Sequence, residues 1–87
     1  MTKRVAVISA ILENPALCQS EFNNTISEYK GIVKGRMGIP FEDEGMSVVS
    51  ITVIATLNEI NGLTGRLGTI EHVTVKTAIS KKEMPCP

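Results

Sequence analysis

Gly45-Met46-Ser47-Val48-Val49-Ser50-Ile51-Thr52-Val53-Ile54-Ala55 is the stretch whose reading decides the fold. Its β-branched residues are stiff at the first side-chain torsion, which penalises helix and suits a pleated surface. Alternation puts Val49, Ile51, Val53 and Ala55 on one face and Val48, Thr52 and Ile54 on the other, with Ser50 a small polar interruption. A strand apolar on both faces needs cover on both.

Toward the N-terminus, Phe41-Glu42-Asp43-Glu44-Gly45 is an acidic turn, preceded by Ile32 to Ile39 and Pro40. Lys34, Gly35, Arg36 and Gly38 make Ile32–Ile39 a strand suited to a sheet edge, ended by Pro40. The short connection predicts an antiparallel hairpin with the Gly45–Ala55 strand. On the other side, Thr56-Leu57-Asn58-Glu59 has the capping-box pattern, so a helix starts there with Leu57, Ile60, Leu63, Thr64 and Leu67 as its buried stripe and Gly68 as its stop. Gly62 and Gly65 weaken such a helix and point to close approach of the sheet or of another chain. His72 to Ser80 then alternates as a strand with one wet face, and Lys81 to Pro87 reads as a flexible tail.

Farther upstream, Arg4 to Leu12 is a second strand apolar on both faces. Asn14 stands in capping position and Pro15 at the first helical position. The helix continues from Ala16 to Lys30 with Leu17, Cys18, Phe22, Ile26 and Tyr29 as its stripe, and Gly31 ends it. The order β-α-β-β-α-β defines an α+β, ferredoxin-like fold: a four-stranded antiparallel sheet in the order fourth, first, third, second, with two helices on one face. Residues 1–80 form its single domain and 81–87 its tail. The strands expected in the centre are the two that are apolar on both faces. Because both helices cover one side, the other side is bare, which predicts a homo-oligomer, dimer or tetramer, assembled through the sheet.

Nine basic residues balance nine acidic ones in the 87-residue chain, so direct nucleic-acid binding is not expected. No apolar run reaches the length of a membrane span, and Cys18 and Cys86 lack metal-ligand or disulfide-framework spacing, which together predict a soluble, cytoplasmic protein without a cofactor. His72 is the sole histidine and reads as an ordinary surface or interface residue. Cys18 reads as a core thiol, Ser9 and Ser50 as hydrogen-bonded core serines, and Glu42, Asp43 and Glu44 as a solvated turn. No catalytic residue or metal ligand is identified, and the chain is expected not to be an enzyme. The one candidate site is the turn Glu13-Asn14-Pro15-Ala16-Leu17, where backbone amides at a helix N-terminus can receive an anionic effector.

That turn, within this element order, resembles the ACT and ACT-like regulatory modules that bind small effectors between subunits. The runs Tyr29–Pro40, Gly45–Ile54, Leu57–Gly68 and Val75–Ala78 are similar to the iron-only hydrogenase system regulator family. The resemblance implies an ACT-like ferredoxin fold related to the effector domain of nickel-responsive repressors, together with oligomerisation and a role in transcriptional or hydrogenase-system regulation. The alternative is a protein-interaction subunit that binds a regulator or maturation partner without a small ligand. Two departures limit what is carried over. Ala16 follows Pro15 where the amino-acid-binding pattern has glycine, and a single histidine does not supply the nickel-binding set.

Overall fold

The computed structural model describes residues 2–85. The elements are β1 (Thr2–Leu12), α1 (Pro15–Ser27), β2 (Val33–Phe41), β3 (Met46–Ala55), α2 (Leu57–Gly68), β4 (Val73–Ile79) and β5 (Met84–Pro85). All pairings are antiparallel and the main sheet runs β2-β3-β1-β4, the order expected of a ferredoxin-like fold. Beyond Ser80 the chain returns along β1, where β5 pairs through Thr2 with Pro85 and Lys3 with Met84. Alternation had shown no strand in that segment; Arg4 holds it by bonding Glu83 at 3.2 Å and the Ser80 carbonyl at 3.4 Å. Cys86, expected in the tail, lies outside the described residues.

The core lies between the sheet and the two helices. Ala6, Ile8, Ala10 and Leu12 of β1 and Val49, Ile51, Val53 and Ala55 of β3 are buried against Cys18, Phe22, Ile26, Ile60, Leu63 and Leu67. Helix α1 is shorter than its stripe suggested. It ends at Ser27, and a separate 3-10 turn spans Lys30–Ile32. Near that end Thr25 donates to the Glu21 carbonyl and Ser27 to the Asn24 carbonyl, side-chain bonds that compete with a continuing helical ladder. The buried stripe is Cys18, Phe22, Thr25 and Ile26, so Leu17 faces away and is 68% exposed. In α2, Ile60, Leu63 and Leu67 are buried as expected, but Leu57 is exposed at the rim beside Thr2 and Arg4. Gly65 has open space where a side chain would stand, while Gly62 lies beneath the Tyr29 hydroxyl.

The start of α2 matches its sequence. Thr56 accepts the Glu59 amide at 3.2 Å and the Glu59 carboxylate accepts the Thr56 amide at 2.9 Å. The Thr56 backbone donor, then the Thr56 hydroxyl, hold the Glu59 carboxyl below its ordinary range. Thr56→Ala is expected to cost about 1 kcal/mol by urea unfolding at neutral pH. A carboxyl whose folded pKa is depressed stabilises above its unfolded pKa and loses that contribution as pH falls through the folded value. The difference between wild type and Glu59→Ala, which removes the titrating carboxylate, should therefore shrink under acid; a difference constant from neutral to acidic pH would contradict the capping box.

Two further differences concern the sheet. β2 continues through Pro40 to Phe41, because proline on an edge strand can turn its missing donor away from the ladder. β2 also slips register between Val33 and Gly35. On the face away from the helices the registers define three rows across the sheet: Gly35, Thr52, Val7, Ala78; then Met37, Ser50, Ser9, Lys76; then Ile39, Val48, Ile11, Thr74. Ser9 and Ser50 are thus on this bare face, not in the core, with Ser9 exposed and Ser50 half-buried. Val7, Ile11, Met37, Ile39 and Phe41, five of the seven large apolar residues that are exposed among the described residues, stand here too.

Candidate functional site

The turn from β1 into α1 has unusual backbone geometry. Asn14 has φ 147° and His72, at the entry to β4, has φ 73°, both in regions that side chains seldom adopt. The two are linked through Glu13, whose amide donates to the His72 carbonyl at 2.8 Å. Asn14 occupies the N-cap position, but its side chain makes no capping bond. Its carbonyl instead accepts the Leu17 amide at 2.9 Å and the Cys18 thiol at 3.4 Å. Pro15 lacks a donor, and no acidic residue stands within the first turn of α1 itself.

The second wall of the site comes from the hairpin of β2 and β3. β1 pairs with β3 only as far as Leu12 opposite Ser47, so Met46, Phe41 and the 3-10 turn Glu42–Glu44 project beyond the end of β1. Between this projection and the start of α1 is an open cleft of about 340 Å³ lined by Pro15, Gln19, Pro40, Glu42, Gly45, Met46 and Ser47. Of the five residues expected from sequence, Pro15 alone lines it. Glu13, Asn14, Ala16 and Leu17 are exposed beside it. Gln19 lies one helical turn after Pro15 and shares its face, a spacing that could have identified it. Glu42 and Ser47 become neighbours of Pro15 only through the sheet register.

The lining supplies hydrogen-bonding groups on Gln19 and Ser47, a carboxylate on Glu42 and an apolar surface on Pro15, Pro40 and Met46. It can hold a small molecule that combines polar groups with a short apolar portion. Two other hollows are less suited. One of about 530 Å³ is lined only by the consecutive residues Pro40–Glu44 and is the outer side of a single turn. The other, near Thr2 and Asn58, contains Arg4 and the start of α2, but Glu83 occupies Arg4 and the capping box satisfies the helix.

Cys18 is buried, and burial, reinforced by the negative charge of Glu21, pushes its thiol up. It is therefore protonated at neutral pH and unsuited to nucleophilic attack. Among the described residues no cluster of three or more histidine, cysteine, aspartate or glutamate side chains could hold a metal ion, and no helix is long and apolar enough to cross a membrane. At the opposite end of the helices, Arg66 makes paired bonds of 3.0 and 2.8 Å to Glu28 and lies 5.7 Å over the Tyr29 ring. Arg66 holds the Glu28 carboxyl below its ordinary range, and this surface pair ties the end of α1 to α2.

The topology and the cleft at one end of the sheet define a ferredoxin-like α+β domain with a small-molecule-sized recess. A family model with the provisional description iron-only hydrogenase system regulator, TM1266-like, matches residues 4–77. The chain belongs to this TM1266-like family. The solved structure of uncharacterized protein TM1266 from Thermotoga maritima is similar, with a TM-score of 0.87 and 25% identity over 91% of this chain and 99% of that one. No curated protein matches the chain.

Proposed function

We propose that the chain is a non-enzymatic regulatory subunit of the cytoplasm, acting in hydrogenase-system or transcriptional control. It senses a small effector as a homo-oligomer assembled through the sheet. The observation that carries the reading is the cleft between the uncapped start of α1 and the projecting β2–β3 hairpin. A ligand touching both elements favours one separation between them, and a preference of that kind is what couples binding to the rest of an assembly. The regulatory part of the reading is supported by the family's description.

The test is a thermal-shift screen with amino acids, nucleotides and hydrogenase-related metabolites, repeated on Gln19→Ala. A ligand at a hundred times its dissociation constant stabilises by about 2.7 kcal/mol. In a domain of this size that is a rise in Tm of roughly 10–20 °C. The true effector should give such a rise in wild type and a clearly smaller one in Gln19→Ala. Equal rises in both proteins would move the binding site elsewhere, and no rise with any compound would count against sensing.

A second reading, a protein-interaction subunit, is favoured by the exposure of β2. It is an edge strand, and every residue from Lys34 to Phe41 is exposed. An extended segment of a partner could add to it along Gly35–Ile39, while Pro40, lacking a donor, limits that pairing.

A further inference from the structure

The bare sheet face has a pattern that restricts how it can be covered. Across its three complete rows the single charged side chain is Lys76, on the edge strand β4, and it shares the central row with Ser9, Ser50 and Met37. Four strands about 4.8 Å apart and roughly nine residues long at about 3.3 Å each cover roughly 600 Å² in projection. Two such faces remove about 1,200 Å², the lower end of the range for specific interfaces, before the relief of the side chains is counted.

Resting on the oligomeric reading above, we propose that a second copy of this chain covers the face, stacked about a two-fold axis lying in the interface and running along the strands. Such an axis reverses the strand order, so β2 lies over the partner's β4 and β3 over its β1. The central row then meets itself reversed. Ser9 and Ser50 face the partner's Ser50 and Ser9, where the hydroxyls can bond one another. Lys76 runs its apolar stem along the partner's Met37, with the ammonium reaching water at the rim. The apolar row through Val48 and Ile11 likewise meets itself.

The competing two-fold axis, across the strands, keeps each strand over its own copy. When the three rows overlap fully it sets Lys76 against Lys76, a repulsion that partial desolvation strengthens. Both axes keep the strand lines of the two sheets nearly aligned, the usual arrangement of stacked twisted sheets, so the placement of Lys76 is what separates them. A partner of different sequence would have to match these rows independently, whereas a second copy supplies the match by symmetry.

The test is cross-linking in a Cys86→Ser background, which leaves buried Cys18 as the remaining native thiol. Met37→Cys and Lys76→Cys proteins are prepared separately, mixed, allowed to exchange subunits and treated with a short bis-maleimide. The mixture should give at least tenfold more covalent dimer than either protein alone. The link should disappear when both also carry Val7→Lys, which charges the sheet face but not its edges. Strong linking of Lys76→Cys alone overturns the proposal in favour of the other axis. A link that survives Val7→Lys overturns it in favour of edge-to-edge pairing of β2 with β4. Light scattering on the untreated proteins separates the two levels: a monomer sinks the oligomeric reading as well, while an oligomer without the mixed link sinks only this stacking.

Discussion

Val7→Lys is expected to leave a folded monomer of 9.4 kDa, in contrast to the oligomer proposed for the unaltered chain at micromolar concentration. Val7 is central in the bare face, on β1 between Thr52 and Ala78, and is 39% exposed in the single chain. In the isolated subunit a lysine there keeps its ammonium in water. In a stacked pair the symmetry places two unpaired ammonium groups in an apolar contact. Burying an unpaired charge costs several kcal/mol per ion after relaxation. Even about 4 kcal/mol in total raises the dissociation constant roughly a thousandfold. Light scattering with circular dichroism on the same sample checks both halves. An unchanged molecular mass would exclude this face as the interface, and a lost spectrum would show that Val7 supports the fold itself.

The same residues show how far the sequence reaches. The strand order was legible because β1 and β3 are apolar on both faces while β2 and β4 carry Lys34, Arg36 and Lys76. Alternation is a local property, and it survives folding unchanged. The capping box of α2 was legible for the same reason: Thr56 and Glu59 satisfy each other within one turn. Burial of a particular residue on a helix was less so. Leu17 and Leu57 fit an apolar periodicity, yet Leu17 points away from the stripe that buries its neighbour Cys18, and Leu57 is exposed in the first turn of α2. Ser9 and Ser50 looked like core residues until the register put them on the uncovered face.

The candidate site was only half legible. Asn14 and Pro15 mark the start of a helix in any context, so the turn could be singled out from sequence. Its second wall depends on β3 outrunning β1 by the single residue Met46 and on the turn beyond it. That offset is fixed by pairing between segments more than thirty residues apart. Glu42, taken alone, therefore read as part of a solvated turn, while Ser47 was simply the beginning of a strand. The positive φ of His72 was equally hidden, since histidine carries no expectation of left-handed backbone. It follows from the need to aim the His72 carbonyl at the Glu13 amide, which holds the end of β1 to the entry of β4.

Phe22→Ala is expected to remove a large part of the stability of an isolated subunit. The ring is fully buried at the centre of the α1 stripe, and Arg36 of β2 lies 5.8 Å over it while bonding Asn23 at 2.6 Å. The substitution removes a large apolar group from between helix and sheet, and also the surface on which the Arg36 guanidinium rests. Truncations of this kind cost about 3–5 kcal/mol. At roughly 0.05–0.15 kcal/mol per residue, a domain of this length has only about 4–13 kcal/mol in total. Calorimetry should show Tm falling by roughly 12–40 °C. Because association stabilises only the folded chain, the Tm of Phe22→Ala should also rise with protein concentration, and adding Val7→Lys should abolish that dependence. Leu17→Ala, at an exposed position on the same helix, is the matched control and should stay within about 0.5 kcal/mol of wild type. A loss below about 1 kcal/mol for Phe22→Ala would mean that α1 does not pack on the sheet through this ring.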